Sequence, residues 1–227
     1  MSNEAFRREW AARYGSSEPK VVCVGLNYAD HTDESGFEPP GAPLLFGKFA
    51  NTLCGVDDAI VLPAGIGHVD AEAELALVIG ERASALSVSE AAGVIAGFTC
   101  ANDVSAREAQ FGDGQWFRAK GFDSFCPVGP RVVPFAELDP SDLRIRQRLN
   151  GEVIQDARTS ALIFGIPFLV SYISHVLTLE PGDLILTGTP VGVGYFREPR
   201  LALRPGDVVE VELEGIGILR NEVREAD

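Results

Sequence analysis

Two carboxylates, Glu72 and Glu74, stand one residue apart inside the apolar run from His68 to Gly80. Side chains alternate along an extended chain, so Glu72 and Glu74 share a face with Asp70, Ala76 and Val78. Val69, Ala71, Ala73, Leu75, Leu77 and Ile79 line the opposite face. A solvated outer face would stay polar to its end, yet this one turns apolar at Ala76 and Val78, which sets the two glutamates at the mouth of a cavity. Buried like charges are costly, and a bound cation is their commonest partner. Alone, the pair fits the decorated outer face of a half-exposed strand better than a cation site, so the rest of the chain has to decide.

Other residues able to do chemistry fall at regular spacings. His31 and Glu34 are three apart, so on a helical turn Glu34 can hydrogen-bond the imidazole, fix its tautomer and raise its basicity. That is the arrangement of a general base; a histidine in a polar surface loop is the plainer alternative. Asp103 follows the apolar stretch Gly97–Asn102 at a strand-to-helix junction, where an aspartate also serves as an ordinary cap. Arg107 and Gln110 can share one side of the turn after it. Lys120 lies in a loop from Gly112 to Phe125 and carries no local signal of its own. Thr187-Gly188-Thr189-Pro190 and the glycines up to Gly194 follow the strand Leu184–Leu186, and such small residues let a ligand approach the backbone. They lack both nucleotide-binding fingerprints.

The elements that must position these groups are strands with a few helices. Phe6, Trp10 and Tyr14 recur every four residues before Gly15, which predicts a short amphipathic helix packed on its own chain or on a partner. Val21–Leu26, Leu44–Lys48, Ala59–Pro63, Leu143–Leu149, Val208–Leu213 and Gly215–Val223 read as strands, and Asn150-Gly151 as a tight hairpin turn. Arg144, Arg146 and Arg148 give one of these strands a cationic outer face. Ser87 to Glu90 and Ser105 to Glu108 have capping-box spacing and predict two helices, the first reaching Ile95. Residues 160–177 read as largely helical. Gly36 to Pro43 has the composition of a surface loop or lid.

With 227 residues the chain suits one full-sized core. The expected division is a helical appendage at 1–19 and a catalytic domain at 20–227. A formal charge of −14 without a basic stripe excludes a nucleic-acid partner. No apolar run approaches the roughly 20 residues of a membrane span, and a polar start without a secretory core implies a cytoplasmic protein. Cys23, Cys54, Cys100 and Cys126 are scattered and predict reduced, structural thiols.

Taken together, Asn27-Tyr28-x-x-His31-x-x-Glu34, Glu72-x-Glu74, Asn102-Asp103-x-Ser105-x-Arg107-x-x-Gln110, Lys120-Gly121-Phe122-Asp123 and Thr187-Gly188-Thr189-Pro190-x-Gly192-Val193-Gly194 resemble, in type and in order, the fumarylacetoacetate hydrolase family. The resemblance spans nearly everything from Val21 to Val223. It implies a mixed β fold with helices (α+β), a β-roll or distorted barrel, in the short form without an additional N-terminal domain. It further implies a homodimer and a divalent cation, Mg2+ with Mn2+ able to substitute. By position it makes Glu72, Glu74 and Asp103 the metal ligands, His31, Glu34 and Lys120 the catalytic residues, and Arg107, Gln110, Gly188 and Thr189 the substrate pocket. Lys48 is given no role.

The expected activity is metal-dependent hydrolysis of a carbon–carbon bond in a small anionic 2-oxo acid such as an acylpyruvate. His31 would activate water, and Lys120 with Gln110 would hold the oxyanion. Two alternatives use the same groups: decarboxylation of an oxaloacetate-type acid, and isomerisation of a hydroxymuconate or hydroxyheptadienedioate. A noncatalytic metal- or ligand-binding domain is the rival of another class.

Overall fold

The computed structural model of the chain describes residues 3–30, 38 and 40–226. Its first elements are helix α1 (Asn3–Tyr14) and strands β1 (Val21–Gly25), β2 (Leu44–Lys48), β3 (Leu53–Cys54), β4 (Ile60–Leu62), β5 (Val69–Asp70) and β6 (Ala73–Ile79). Next come β7 (Ile95–Asn102), β8 (Ser105–Ala106), helices α2 (Arg107–Asp113) and α3 (Phe117–Lys120), and β9 (Cys126–Pro134). The hairpin β10 (Arg144–Leu149) and β11 (Glu152–Arg158), helix α4 (Ile166–Val176), and strands β12 (Leu184–Leu186), β13 (Val208–Leu213) and β14 (Gly217–Glu225) complete the chain.

The strands form a curled seven-stranded sheet in the order β2-β1-β12-β6-β7-β9-β3, a five-stranded sheet β11-β10-β13-β14-β4, and the small pair β5-β8. This is the mixed β fold with helices that the family resemblance implies, with the large sheet curled into a half-barrel. Both faces of the large sheet are covered, which is why β6 is buried at every position. Leu75, Leu77, Ile79 and Phe98 pack against Ile145, Val211, Leu213 and Leu219 of the second sheet and against Leu169, Val170 and Ile173 of α4. On the other face Val21, Cys23, Ala76, Val78, Leu184 and Leu186 meet Trp10. Helix α1 therefore packs on its own chain, with the Trp10 indole N–H donating to the Gly182 carbonyl at 3.0 Å.

Local signals set several turns. Asn150 and Gly151 both have positive φ, 52° and 85°, as a two-residue hairpin with right-handed strand twist requires. The two Pro-Gly-Asp turns use their aspartates as acceptors, Asp183 for the amides of Lys20 and Glu180 and Asp207 for that of Arg204. All four cysteines are buried and unpaired, and burial raises each thiol pKa, Cys100 and Cys126 to about 12.

Other expectations are corrected. Ser87 and Glu90 do bond each other, but only a short 3-10 turn, Ala91–Val94, follows before the chain enters β7. The apolar run from Ile95 has better partners in the sheet than in a helix. Ser105 does not cap α2: it lies in β8, paired with Asp70 of β5, while the Glu108 carboxylate accepts from the His68 amide at 2.5 Å. The supposed loop carrying Lys120 contains the helical turn α3. The arginines of β10 are not a free cationic face, because Arg144 bonds Asp156 and both Arg146 and Arg148 bond Glu212. Gly36, Phe37 and Pro39 of the Gly36–Pro43 loop lie outside the described residues. No described helix is long and apolar enough to cross a membrane.

Candidate metal centre and active site

Glu72, Glu74 and Asp103 converge from three places. Glu74 is the second residue of β6, Glu72 sits in the two-residue break between β5 and β6, and Asp103 follows the last residue of β7. Backbone pairing fixes their spacing: Ala73 lies opposite Asn102 in the β6–β7 ladder, the Asp103 amide donates to the Glu72 carbonyl at 2.9 Å, and the Glu72 amide donates to the Asn102 side chain at 3.1 Å. One carboxylate oxygen from each of the three lies within 4.8 Å of the others. Relative exposures of 6%, 2% and 0% place Glu72, Glu74 and Asp103 away from solvent. Burial, followed by the charges of Asp103 and Glu72, raises the Glu74 pKa well above the ordinary carboxylate range.

Three buried cations share this cluster. The Lys120 ammonium donates to Glu72 at 2.8 Å and to Asp103 at 2.7 Å, and lies over the Phe46 ring. Burial alone would lower its pKa, but the charges of Asp103 and Glu72 outweigh that and raise it, so the ammonium stays charged. Arg107 donates through Nε to Asp70 at 2.7 Å, through Nη2 to Glu72 at 2.6 Å, and through Nη1 to Gln110 at 2.7 Å. Lys48 at the end of β2 pairs with Asp103 and donates to the Val104 carbonyl at 3.2 Å. Among the described residues, with every group ionised, four carboxylates (Asp70, Glu72, Glu74, Asp103) face three cations (Lys48, Arg107, Lys120), a net charge of −1.

Gly188 and Thr189 enter from the end of β12. The Gly188 amide donates to Glu74 at 2.5 Å. Its φ of +101° and the absence of a Cβ are both needed, since a Cβ would lie 2.9 Å from that of Asn27. Asn27 in turn donates to the Thr187 carbonyl at 2.8 Å, which holds the turn in place. The Thr189 hydroxyl accepts from Gln155 at 2.8 Å, and Gln155 also accepts from the Ala73 amide at 2.9 Å.

Part of this cluster lines a cavity of about 280 Å³. Glu72, Glu74, Arg107, Gln110, Lys120 and Thr189 supply its polar wall, while Phe46, Phe111, Trp116 and Phe196 supply an aromatic one. The structure thus brings Glu72, Glu74, Asp103, Arg107, Gln110, Lys120, Gly188 and Thr189 together. His31 and Glu34 lie outside the described residues. Three participants were missed. Asp70 was readable as a third acid on the Glu72/Glu74 face of the alternation, and Lys48 as a cation ending an apolar strand; Gln155 arrives by the β10–β11 hairpin with no local signal. Arg107 and Lys120, which both line the cavity, already hold carboxylates of the cluster.

The donor set of Glu72, Glu74 and Asp103 consists of oxygens alone, which suits a hard divalent cation. Glu74 supports that fit: it is deeply buried, faces two other carboxylates, and accepts a backbone amide where the other two accept ammonium groups.

The sequence model of the fumarylacetoacetate (FAA) hydrolase C-terminal domain matches residues 20–224. The chain belongs to the fumarylacetoacetate hydrolase family. Among its relatives is the mitochondrial oxaloacetate tautomerase of Bos taurus, 47% identical over 207 residues, covering 90% of this chain and 66% of that protein. The chain therefore spans just under two thirds of the tautomerase. The crystal structure of 5-carboxymethyl-2-hydroxymuconate delta-isomerase from Mycobacterium smegmatis superposes with a TM-score of 0.83 at 47% identity, covering 92% of this chain and 79% of the isomerase. A fumarylacetoacetate hydrolase from Exiguobacterium antarcticum gives a TM-score of 0.84 at 38% identity, covering 92% of this chain and 76% of that one.

Proposed function

We propose that this family member is an enzyme that moves a proton on a small 2-oxo dicarboxylic acid, interconverting keto and enol forms or shifting a conjugated double bond, with Mg2+ as its cofactor. Hydrolysis was the first expectation from the sequence; similarity to proteins named oxaloacetate tautomerase and hydroxymuconate isomerase supports the isomerase alternative better.

The observation that carries this reading is the buried charge balance. A net charge of −1 from the described side chains becomes +1 when a divalent cation joins Glu72, Glu74 and Asp103, which favours an anionic acid beside these buried groups. When bound, the cation supplies Lewis-acid withdrawal of charge from the substrate carbonyl. The chain supplies the rest. Lys120 has one of its three N–H groups left after Glu72 and Asp103, and this donor stabilises negative charge developing on the 2-oxo oxygen. Arg107, with Gln110 beside it, has N–H groups left for a substrate carboxylate. The proton transfer is assigned to His31 and Glu34, the pair implied by the family resemblance: the proton leaves the enol oxygen or carbon and returns to the other atom. No water is added and no carbon–carbon bond breaks. Assembly as a homodimer and a cytoplasmic location go forward with this proposal.

Hydrolysis is kept as a second reading because of the similarity to the Exiguobacterium hydrolase. The test is a substrate panel of oxaloacetate, a hydroxymuconate and an acylpyruvate, with Mg2+ and then with EDTA. Loss of oxaloacetate enol absorbance faster than in buffer, without release of CO2 and abolished by EDTA, is the expected result. Faster release of pyruvate from the acylpyruvate would instead identify a hydrolase, and no turnover of any compound would identify a binding domain.

A further inference from the structure

We infer that Asp70 is a positioning residue that locks the Arg107 guanidinium into the cavity wall and couples it to the Gly194–Phe196 turn. The inference rests on the proposed function in taking the cavity for the substrate pocket. Asp70 itself is not among the residues that line the cavity, and it is 2% exposed.

One carboxylate oxygen accepts from Arg107 Nε at 2.7 Å and the other accepts from the Tyr195 amide, also at 2.7 Å. A carboxylate bonded on both oxygens cannot rotate toward one partner without releasing the other, so the two parts of the wall are held in register. Their backbones are tied as well: Asp70 pairs with Ser105 in the β5–β8 ladder, the Arg107 amide donates to the His68 carbonyl at 2.8 Å, and the Leu203 amide donates to the Val69 carbonyl at 2.7 Å. Gly194 lets the turn come this close, because a Cβ there would collide with the Leu201 carbonyl and sit 3.1 Å from the Asp70 Cβ. The turn then delivers Phe196 to the cavity and sets the Tyr195 ring 5.0 Å from that of Phe111, which also lines it.

The consequence for Arg107 follows from its donor inventory. Of five N–H groups, Asp70, Glu72 and Gln110 engage three. With Nε held by Asp70 and Nη2 by Glu72, one edge of the planar fork is occupied and the guanidinium cannot turn. The two N–H groups left on the Nη atoms are thereby fixed for a substrate carboxylate. An amide at position 70 could still accept from Tyr195, but its NH2 would meet the Arg107 donor and release that edge.

The test is a double-mutant cycle with Asp70→Asn, Arg107→Met and both together, read on oxaloacetate with Mg2+, alongside Mg2+ affinity by calorimetry. Asp70→Asn should lower kcat/KM by about 10- to 100-fold, mostly through KM. Added to Arg107→Met it should cost no more than about twofold, with Mg2+ affinity unchanged to within about twofold in Asp70→Asn. Losses that multiply in the double variant, or an Mg2+ affinity that falls in step with kcat/KM, would overturn the inference. Should Asp70→Asn alone not fold, the double variant, which removes both buried charges, is compared with Arg107→Met, and a further loss beyond about twofold is the overturning result. If the parent turns over none of the panel, the functional reading fails and the cycle is read on calorimetric affinity for malonate. The same non-additivity is then expected, and multiplying losses or no malonate binding by the parent would overturn the inference.

Discussion

Two charge clusters in this molecule use the same side-chain chemistry in opposite surroundings. On the outer face of the five-stranded sheet, Arg144, Arg146, Arg148 and Arg158 pair with Asp142, Asp156, Glu212 and Glu214 while remaining a fifth to more than half exposed. In the candidate site, Lys48, Arg107 and Lys120 pair with Asp70, Glu72 and Asp103, with every side chain at most 7% exposed. Water can replace any partner in the first cluster, so each pair contributes little. In the second no solvent can substitute, and losing one charge strands another. Pairing thus serves the surface as solubility, while at the site it holds a set of oxygens in a fixed geometry.

Deleting a buried cation tests that contrast most severely. Lys120→Met removes the shared partner of Glu72 and Asp103, and the metal-free protein should lose about 3–5 kcal/mol of stability in urea unfolding, with turnover abolished. A loss no larger than that of a surface pair would show that the buried network is not the rigid element described above. A smaller effect of opposite sign is expected at Glu74, whose charge is disfavoured by burial and then by Asp103 and Glu72. Glu74→Gln should raise the stability of the metal-free chain by about 0.5–2 kcal/mol while calorimetry finds Mg2+ binding lost, because functional sites commonly trade stability for activity. Retained Mg2+ affinity would remove Glu74 from the ligand set. The smallest effect belongs to Arg148→Gln on the exposed ladder: a change of no more than about 1 kcal/mol, shrinking further in high salt, with kcat/KM unaltered.

The parts of this architecture that could be read from the chain are those written in local periodicity. Alternation put Glu72 and Glu74 together and both do line the cavity, but the break at residues 71–72 divides the opposite face, with Val69 and Ala71 packed in one core cluster and Ala73, Leu75, Leu77 and Ile79 in another. The Asn150-Gly151 turn, the four-residue aromatic spacing of α1 and the proline at the start of α4 each act within one turn of chain, so they survive into the fold. Where local signals failed, a distant partner had won. The Ser105 capping pattern lost to pairing of β8 with β5, and the helix expected after Ser87 gave way because the run from Ile95 fills β7 between β6 and β9. For Lys120, the flanking residues give no hint that its ammonium lies between two carboxylates 17 and 48 residues away.

By itself the sequence determined which residues alternate, where the chain must turn, and that its separated acid, amide, lysine and glycine motifs occur in the order of one family. Such features depend on neighbours within a few positions or on motif order, and both are present in a string of letters. Tertiary structure alone decided that Asp70 and Lys48 join the buried cluster, that Arg107 and Lys120 are already committed to carboxylates, and that the β10 arginines are paired. Those outcomes depend on which groups are excluded from water together. Desolvation is a property of the folded volume, and it turned one set of charges into a candidate metal centre while leaving the other on the surface.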